Sequence, residues 1–211
     1  MIDLAEKKKE FLDIARQDIQ RQGIDGLLSW LVKTDFFEAP ASTRYHDSEP
    51  GGLLNHSLSV YYNILFLDKM YGTNYPRESL AIVSLFHDLC KIGCYAVSSR
   101  NVKDDKTGLW HKEPFYKWEE QQRYGGHGSK SVFIVQTYLQ PLYFEEAAAI
   151  NCHMGVDDSG LSVYDVYRDN VLAFLLHFAD TASTIPDINS IVMSDRLSDE
   201  QVTTNNSDEN N

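Results

Sequence analysis

Apolar residues along most of the chain recur every three to four positions, the spacing that gathers them on one side of a helix. Leu4, Phe11, Ile14, Ala15 and Ile19 line one face of a helix predicted over Leu4–Gln20. A short second helix, Ile24–Val32, ends at Thr34-Asp35, and a loop with Pro40 and Pro50 follows. Leu53–Tyr71 reads as a long helix on which Val60, Ile64, Leu67 and Tyr71 share a side with His56. Pro76 opens the next helix, because proline in the first turn gives up no helical hydrogen bond, and this helix is expected to reach about Cys90. Ser129–Leu139, Phe144–His153 and Val163–Thr181 complete the set, with Ser162 as the N-cap of the last.

One stretch breaks the period. Tyr95–Trp118 places Asp104-Asp105-Lys106-Thr107-Gly108 between two runs of mixed polar and aromatic residues, the pattern of a β-hairpin or a long ordered loop. It is longer than a simple connection needs to be, which suggests a functional flap. Asp195–Asn211 holds five acids, one base and almost no apolar residue, so it reads as a disordered tail. The expectation is therefore one all-α domain over residues 1–194, with an insertion near 95–118.

Asp and Glu number 31 against 19 Lys and Arg, a net charge of −12. An acidic chain is a poor coat for duplex DNA, whose phosphates demand a basic surface. Charge does not exclude a small phosphorylated substrate, because a metal ion reverses the local field of a pocket. The charged start Met1–Phe11 lacks the features of a signal peptide, and the most apolar run, Val171–Ala179, is too short to span a bilayer. Cys90, Cys94 and Cys152 form neither a disulfide pattern nor a CxxC pair. These points lead to the expectation of a reduced, cytoplasmic protein with no membrane partner.

The chemistry concentrates at His87-Asp88, inside Phe86-His87-Asp88-Leu89-Cys90-Lys91. Neighbouring residues on a helix stand about 100° apart, so both side chains can reach one ion off their shared edge. His56, His127, His153 and Asp180 lie near the ends or apolar faces of other elements, where a polar group without a partner would be costly. Imidazole and carboxylate together suit Mn, Fe, Co, Ni or Zn. Six such ligands suit two divalent ions. His56, His87, Asp88 and Asp180 would hold the first, and Asp88, His127 and His153 the second, with Asp88 bridging. A water between the ions, with its pKa lowered toward neutrality, would attack phosphorus. Lys91, three residues after Asp88, would meet a phosphate oxygen or the charge that develops there.

The order of GGLLNHSLSV, FHDLCKIG, GHGSKS, CHMG and HFAD resembles the HD-domain superfamily of metal-dependent phosphohydrolases, with HDLCK where HDxGK is commoner. It is most similar to small bacterial and phage HD-domain hydrolases, and also to the HD portion of certain 3′–5′ exoribonucleases. The resemblance covers about Pro40 to Ser183. It implies an all-α HD-domain bundle and the same six ligands plus Lys91. It does not extend to the N-terminal helices or to the 95–118 insertion.

Lesser candidates surround this set. Arg44 and His46 read equally as a structured cap or as a phosphate clamp, since the guanidinium fork matches phosphate oxygens. Lys130 and Lys117 are further candidates for substrate contact. Tyr116 and Trp118 could stack a base, although packing is their ordinary role. His177 reads as a packing or supporting residue and His111 as exposed. The leading expectation is hydrolysis of a nucleotide or short-oligonucleotide phosphate ester. The same ligands would also serve a mixed-valent di-iron oxygenase of HD type, or a non-catalytic nucleotide-binding module.

Overall fold

The computed structural model of the chain describes residues 3–44, 46–156 and 162–196. These form a helical body with a two-stranded sheet. The elements are α1 (Leu4–Asp18), α2 (Ile24–Leu31), α3 (Gly52–Tyr71), α4 (Arg77–Phe86), a 3₁₀ turn (Leu89–Lys91), β1 (Tyr95–Lys103), β2 (Trp110–Trp118), α5 (His127–Tyr138), α6 (Phe144–Cys152), α7 (Tyr164–Asp169) and α8 (Val171–Ser183). A last helix, α9, covers Pro186–Arg196 and bends away from α8 by 109°. No single helix among the described residues is long and apolar enough to cross a membrane.

The core lies where α3, α4, α6 and α8 pack together. Their inward faces supply Leu53, Ile64, Ile82, Leu85, Ile150 and Leu175, all fully buried. Phe11 pins α1 onto this core. Its ring lies 5.2 Å from Phe36, 5.7 Å from Phe37 and 6.0 Å from Phe86. Burying each such ring stabilises the fold by about 1.5–3 kcal/mol. A buried ion pair fastens the turn after α1 to α6: Arg21 holds both carboxylate oxygens of Glu146, one at 3.0 Å. Glu146 also accepts from the Tyr143 amide (2.9 Å) and the Ser79 hydroxyl (2.8 Å).

Several boundaries differ from the sequence reading. The helix expected to reach Cys90 stops at Phe86, with His87 as its C-cap. The ring Nδ1 of His87 donates to the Ser84 carbonyl (2.8 Å), which satisfies one of the carbonyls a helix end leaves open. The chain then tightens into the 3₁₀ turn. The helix expected over Val163–Thr181 breaks at Asn170, whose side chain caps α8 and ties to the Glu145 carbonyl (2.9 Å). Helix α5 begins at His127, two residues before the expected start. The 95–118 insertion is an antiparallel hairpin pairing Tyr95 with Trp118 through to Lys103 with Trp110. Asp195 and Arg196, expected to open a disordered tail, continue α9. Arg196 reaches Glu10 (3.1 Å) and covers the Tyr62 ring at 4.1 Å. The rest of that tail lies outside the described residues.

Candidate metal centre

All six side chains singled out as ligands meet where α3, the end of α4, the start of α5, the end of α6 and α8 converge. Two glycines permit the close approach. A Cβ on Gly52 would sit 1.9 Å from the Asp47 carbonyl oxygen, so only glycine lets the 41–47 loop cross the start of α3. That crossing brings the His46 ring to 5.0 Å from His56. A Cβ on Gly128 would sit 2.2 Å from the Asn151 carbonyl oxygen. The start of α5 can therefore lie against the end of α6, with His127 and His153 rings 5.3 Å apart.

Asp88 is the hub. Its Oδ2 lies 3.5 Å from His56 Nε2, 3.4 Å from His87 Nε2 and 2.7 Å from Lys91 Nζ. Its Oδ1 lies 2.8 Å from His127 Nε2 and 3.6 Å from His153 Nε2. Asp180 Oδ1 is 3.1 Å from His56 Nε2 and 3.9 Å from His87 Nε2. The two oxygens of one carboxylate thus face two different pairs of histidines, the division expected for a bridging ligand. Lys91 reaches Asp88 because residues three apart eclipse in a 3₁₀ turn. Its ammonium also donates to the Ala41 carbonyl (2.8 Å).

Hydrogen bonds on the far side of the rings fix their tautomers. Nδ1 of His87 meets the Ser84 carbonyl, and Nδ1 of His153 meets the Ile150 carbonyl (2.7 Å). A carbonyl only accepts, so both Nδ1 atoms carry hydrogen. Ser183 gives its one hydroxyl hydrogen to the Asp180 carbonyl (2.6 Å) and so accepts from His56 Nδ1 (3.0 Å). In their neutral forms all three rings present bare Nε2 atoms to the carboxylates. His153 Nε2 is buried with no hydrogen-bond partner among the described residues. A buried convergence of lone pairs such as this could hold divalent cations.

The electrostatics follow. Burial pushes the Asp88 carboxyl up, but the charges of Lys91 and His87 and the hydrogen bond of His127 outweigh it and hold it well below the usual range. Asp180 is lowered despite its burial, through His56 and the other rings. Burial dominates at His56 and His153 and lowers both. At His87 burial opposes protonation, yet Asp88 and Asp180 prevail and raise it. His127 is also buried, but Asp88 and Cys90 push it up to about 10.

Two pockets flank the cluster. One, of about 260 Å³, is lined by His46, Lys91, His177, Thr181 and Thr184 along with His56, Asp88, His153 and Asp180. The other, of about 340 Å³, opens at the root of the hairpin beside His127 and Lys130. Lys130 is neutralised there by Glu120 at 2.8 Å, and Arg44 is exposed and lines neither pocket. Of the two residues proposed as a phosphate clamp, the structure places only His46 at the site. His177 stacks on Tyr167 (5.3 Å) and its Nδ1 donates to the His153 carbonyl (2.7 Å), as a supporting residue would. Ser84, Ser131 and Ser183 were not anticipated. Ser131 accepts from the Cys90 amide (3.0 Å) and fixes the 3₁₀ turn against α5. All three stand at helical spacing from a candidate ligand, Ser84 three residues before His87, Ser131 four after His127 and Ser183 three after Asp180. No family model, curated protein or solved structure matches the chain.

Proposed function

We propose that the chain is a metal-dependent phosphohydrolase of HD-domain type, acting on a nucleotide or short-oligonucleotide phosphate ester. The observation that carries this reading is the split of Asp88, one oxygen toward His56 and His87 and the other toward His127 and His153. His56, His87, Asp88 and Asp180 would hold one divalent ion and Asp88, His127 and His153 a second. When bound, such ions lower the pKa of water and offset the charge on phosphoryl oxygens. Lys91 lines the 260 Å³ pocket, kept protonated in spite of its burial by Asp88 at 2.7 Å; with the Asp88 charge engaged by metal, it would present its ammonium to phosphoryl oxygens. The Thr181 hydroxyl at the same mouth offers a neutral donor to the oxygens that do not react; that of Thr184 is donated to the Thr181 carbonyl (2.8 Å). Hydrolysis then adds water across the phosphorus–oxygen ester bond, and the leaving oxygen departs protonated.

The test is elemental analysis of the purified protein, followed by phosphate and oxygen-uptake assays of the loaded form on mononucleotides, cyclic dinucleotides and short RNAs. Two ions per chain and hydrolysis lost in His87→Ala are expected. Oxygen consumption without hydrolysis would replace this reading with the di-iron oxygenase. Nucleotide binding with no turnover would replace it with a binding module.

A further inference from the structure

The hairpin carries chemistry that the metal centre does not use. Its base charge differs from that of the chain: Arg100, Lys103, Lys106, Lys112 and Lys117 face only Asp104, Asp105 and Glu113, in a protein of net charge −12. The strand register sorts these residues by face, since directly paired residues lie on the same side of a sheet. One face holds the pairs Tyr95–Trp118, Val97–Tyr116, Ser99–Pro114, Asn101–Lys112 and Lys103–Trp110. It bears two lysines, four aromatic rings and no acid. The single acid of the paired strands, Glu113, is on the opposite face with Arg100. The aromatic face is open: Val97 is 72%, Trp110 68% and Trp118 42% exposed. Nine paired positions at about 3.4 Å each give it a length of roughly 30 Å.

The face leads to the metal centre. At its root Tyr95 donates to the Ala41 carbonyl (2.9 Å), the same oxygen that Lys91 holds. Trp118, with its edge on Tyr95 (5.3 Å), lines the 340 Å³ pocket together with Arg123 and His127. Aromatic planes at intervals, lysines between them and no carboxylate are what unpaired bases and a phosphate backbone require. A second protein would be expected to meet mixed charge or a purely apolar patch.

We propose that this face is a track for single-stranded nucleic acid, delivering a phosphodiester to the His127 side of the metal centre. The delivery rests on the phosphohydrolase reading above; the binding does not. The overall acidity of the chain hides this basic surface, which is local and carried on the insertion.

The test uses the full chain and labelled oligothymidylate and oligouridylate of about twelve nucleotides. Anisotropy in EDTA reads binding apart from turnover. Lys103→Ala/Lys112→Ala and Trp110→Ala alter only exposed side chains, and circular dichroism verifies their fold. The lysine pair should flatten the slope of log affinity against log salt by about 1.4, and loss of Trp110 should weaken binding about tenfold. With metal restored, both variants should cleave bis(p-nitrophenyl) phosphate at the parental rate and the oligonucleotide more slowly. Wild-type oligonucleotide affinity in both variants, duplex bound as tightly as single strand, or self-association lost in place of oligonucleotide binding would each overturn the track. Hairpin-dependent binding without hydrolysis of any ester would uphold the track and sink the hydrolase. Cleavage of the small diester with binding indifferent to the hairpin would do the reverse.

Discussion

The Nε2 atoms of His56 and His87 lie 3.2 Å apart, and hydrogen bonds from their Nδ1 atoms to Ser183 and Ser84 leave neither with a hydrogen in its neutral form. Two bare lone pairs at that distance repel; a proton on His87, which Asp88 and Asp180 favour in the metal-free protein, or a metal ion held by both rings removes the repulsion. Stripping metal from the protein should therefore lower its stability, and adding Mn, Fe, Co, Ni or Zn back at a hundred times Kd should raise it by about 2.7 kcal/mol per site. A thermal melt with and without chelator reads the difference. No shift with any of these ions would argue against the metal centre.

Ser183 touches the centre through the His56 ring and the Asp180 carbonyl. Ser183→Ala keeps the helix and the six ligands but frees the His56 ring to rotate or change tautomer. Metal affinity should fall about 10–100-fold, as measured by competition with a chromophoric chelator, with circular dichroism unchanged.

Metal uptake should release protons. In the metal-free protein His127 is raised from an ordinary 6.5 to about 10 by Asp88 and Cys90, against its burial. A raised folded-state pKa means that its contribution to stability is complete below about 6.5 and is lost as the pH rises through about 10. Between those values a binding ion must displace the proton. Titration calorimetry near pH 8, in buffers of different ionisation enthalpy, should show about one proton released through His127, and affinity should rise with pH. His127→Ala should remove that proton from the count.

The Arg21–Glu146 pair is 5% and 1% exposed. Removing one partner strands a buried charge, so Arg21→Met should cost about 3–5 kcal/mol in urea unfolding. Adding Glu146→Gln should restore part of the loss, because the amide oxygen still accepts from the Tyr143 amide and the buried charge is gone; Glu78, the second partner of Arg21 (3.1 Å), is 30% exposed and keeps water.

Gly128→Ala places a methyl group 2.2 Å from the Asn151 carbonyl oxygen, against backbone that has no flexible end to give. It should cost about 1–3 kcal/mol and move His127 away from Asp88. Loss of metal from one half of the centre only, read by elemental analysis, is the expected mark of that displacement.

How far the sequence revealed this site depended on what each residue needed. Helical periodicity located α1, α3 and α6 because each buries one face. The six ligands stood out because histidine and aspartate on apolar faces are costly without partners. The end of α4 stayed hidden, since the bond from the His87 ring to the Ser84 carbonyl that closes it carries no local pattern. The break at Asn170 depends on a carbonyl 25 residues away, and Glu146 on an arginine 125 residues away. That Lys130 pairs with Glu120 (2.8 Å) left no sequence signal, because Glu120 sits in a segment without periodicity. The hairpin was visible from its turn residues, but which side chains share a face follows only from the register.

Cys90 Sγ lies 3.3 Å from both ring nitrogens of His127, and no thiol stands beside His56, whose flank carries the imidazole of His46. The two halves around Asp88 are therefore unlike: one has a polarisable sulfur at its edge, the other only nitrogen and oxygen donors. Ions in such a pair would differ in residence time, and the molecule would have an inherent order of loading and of loss.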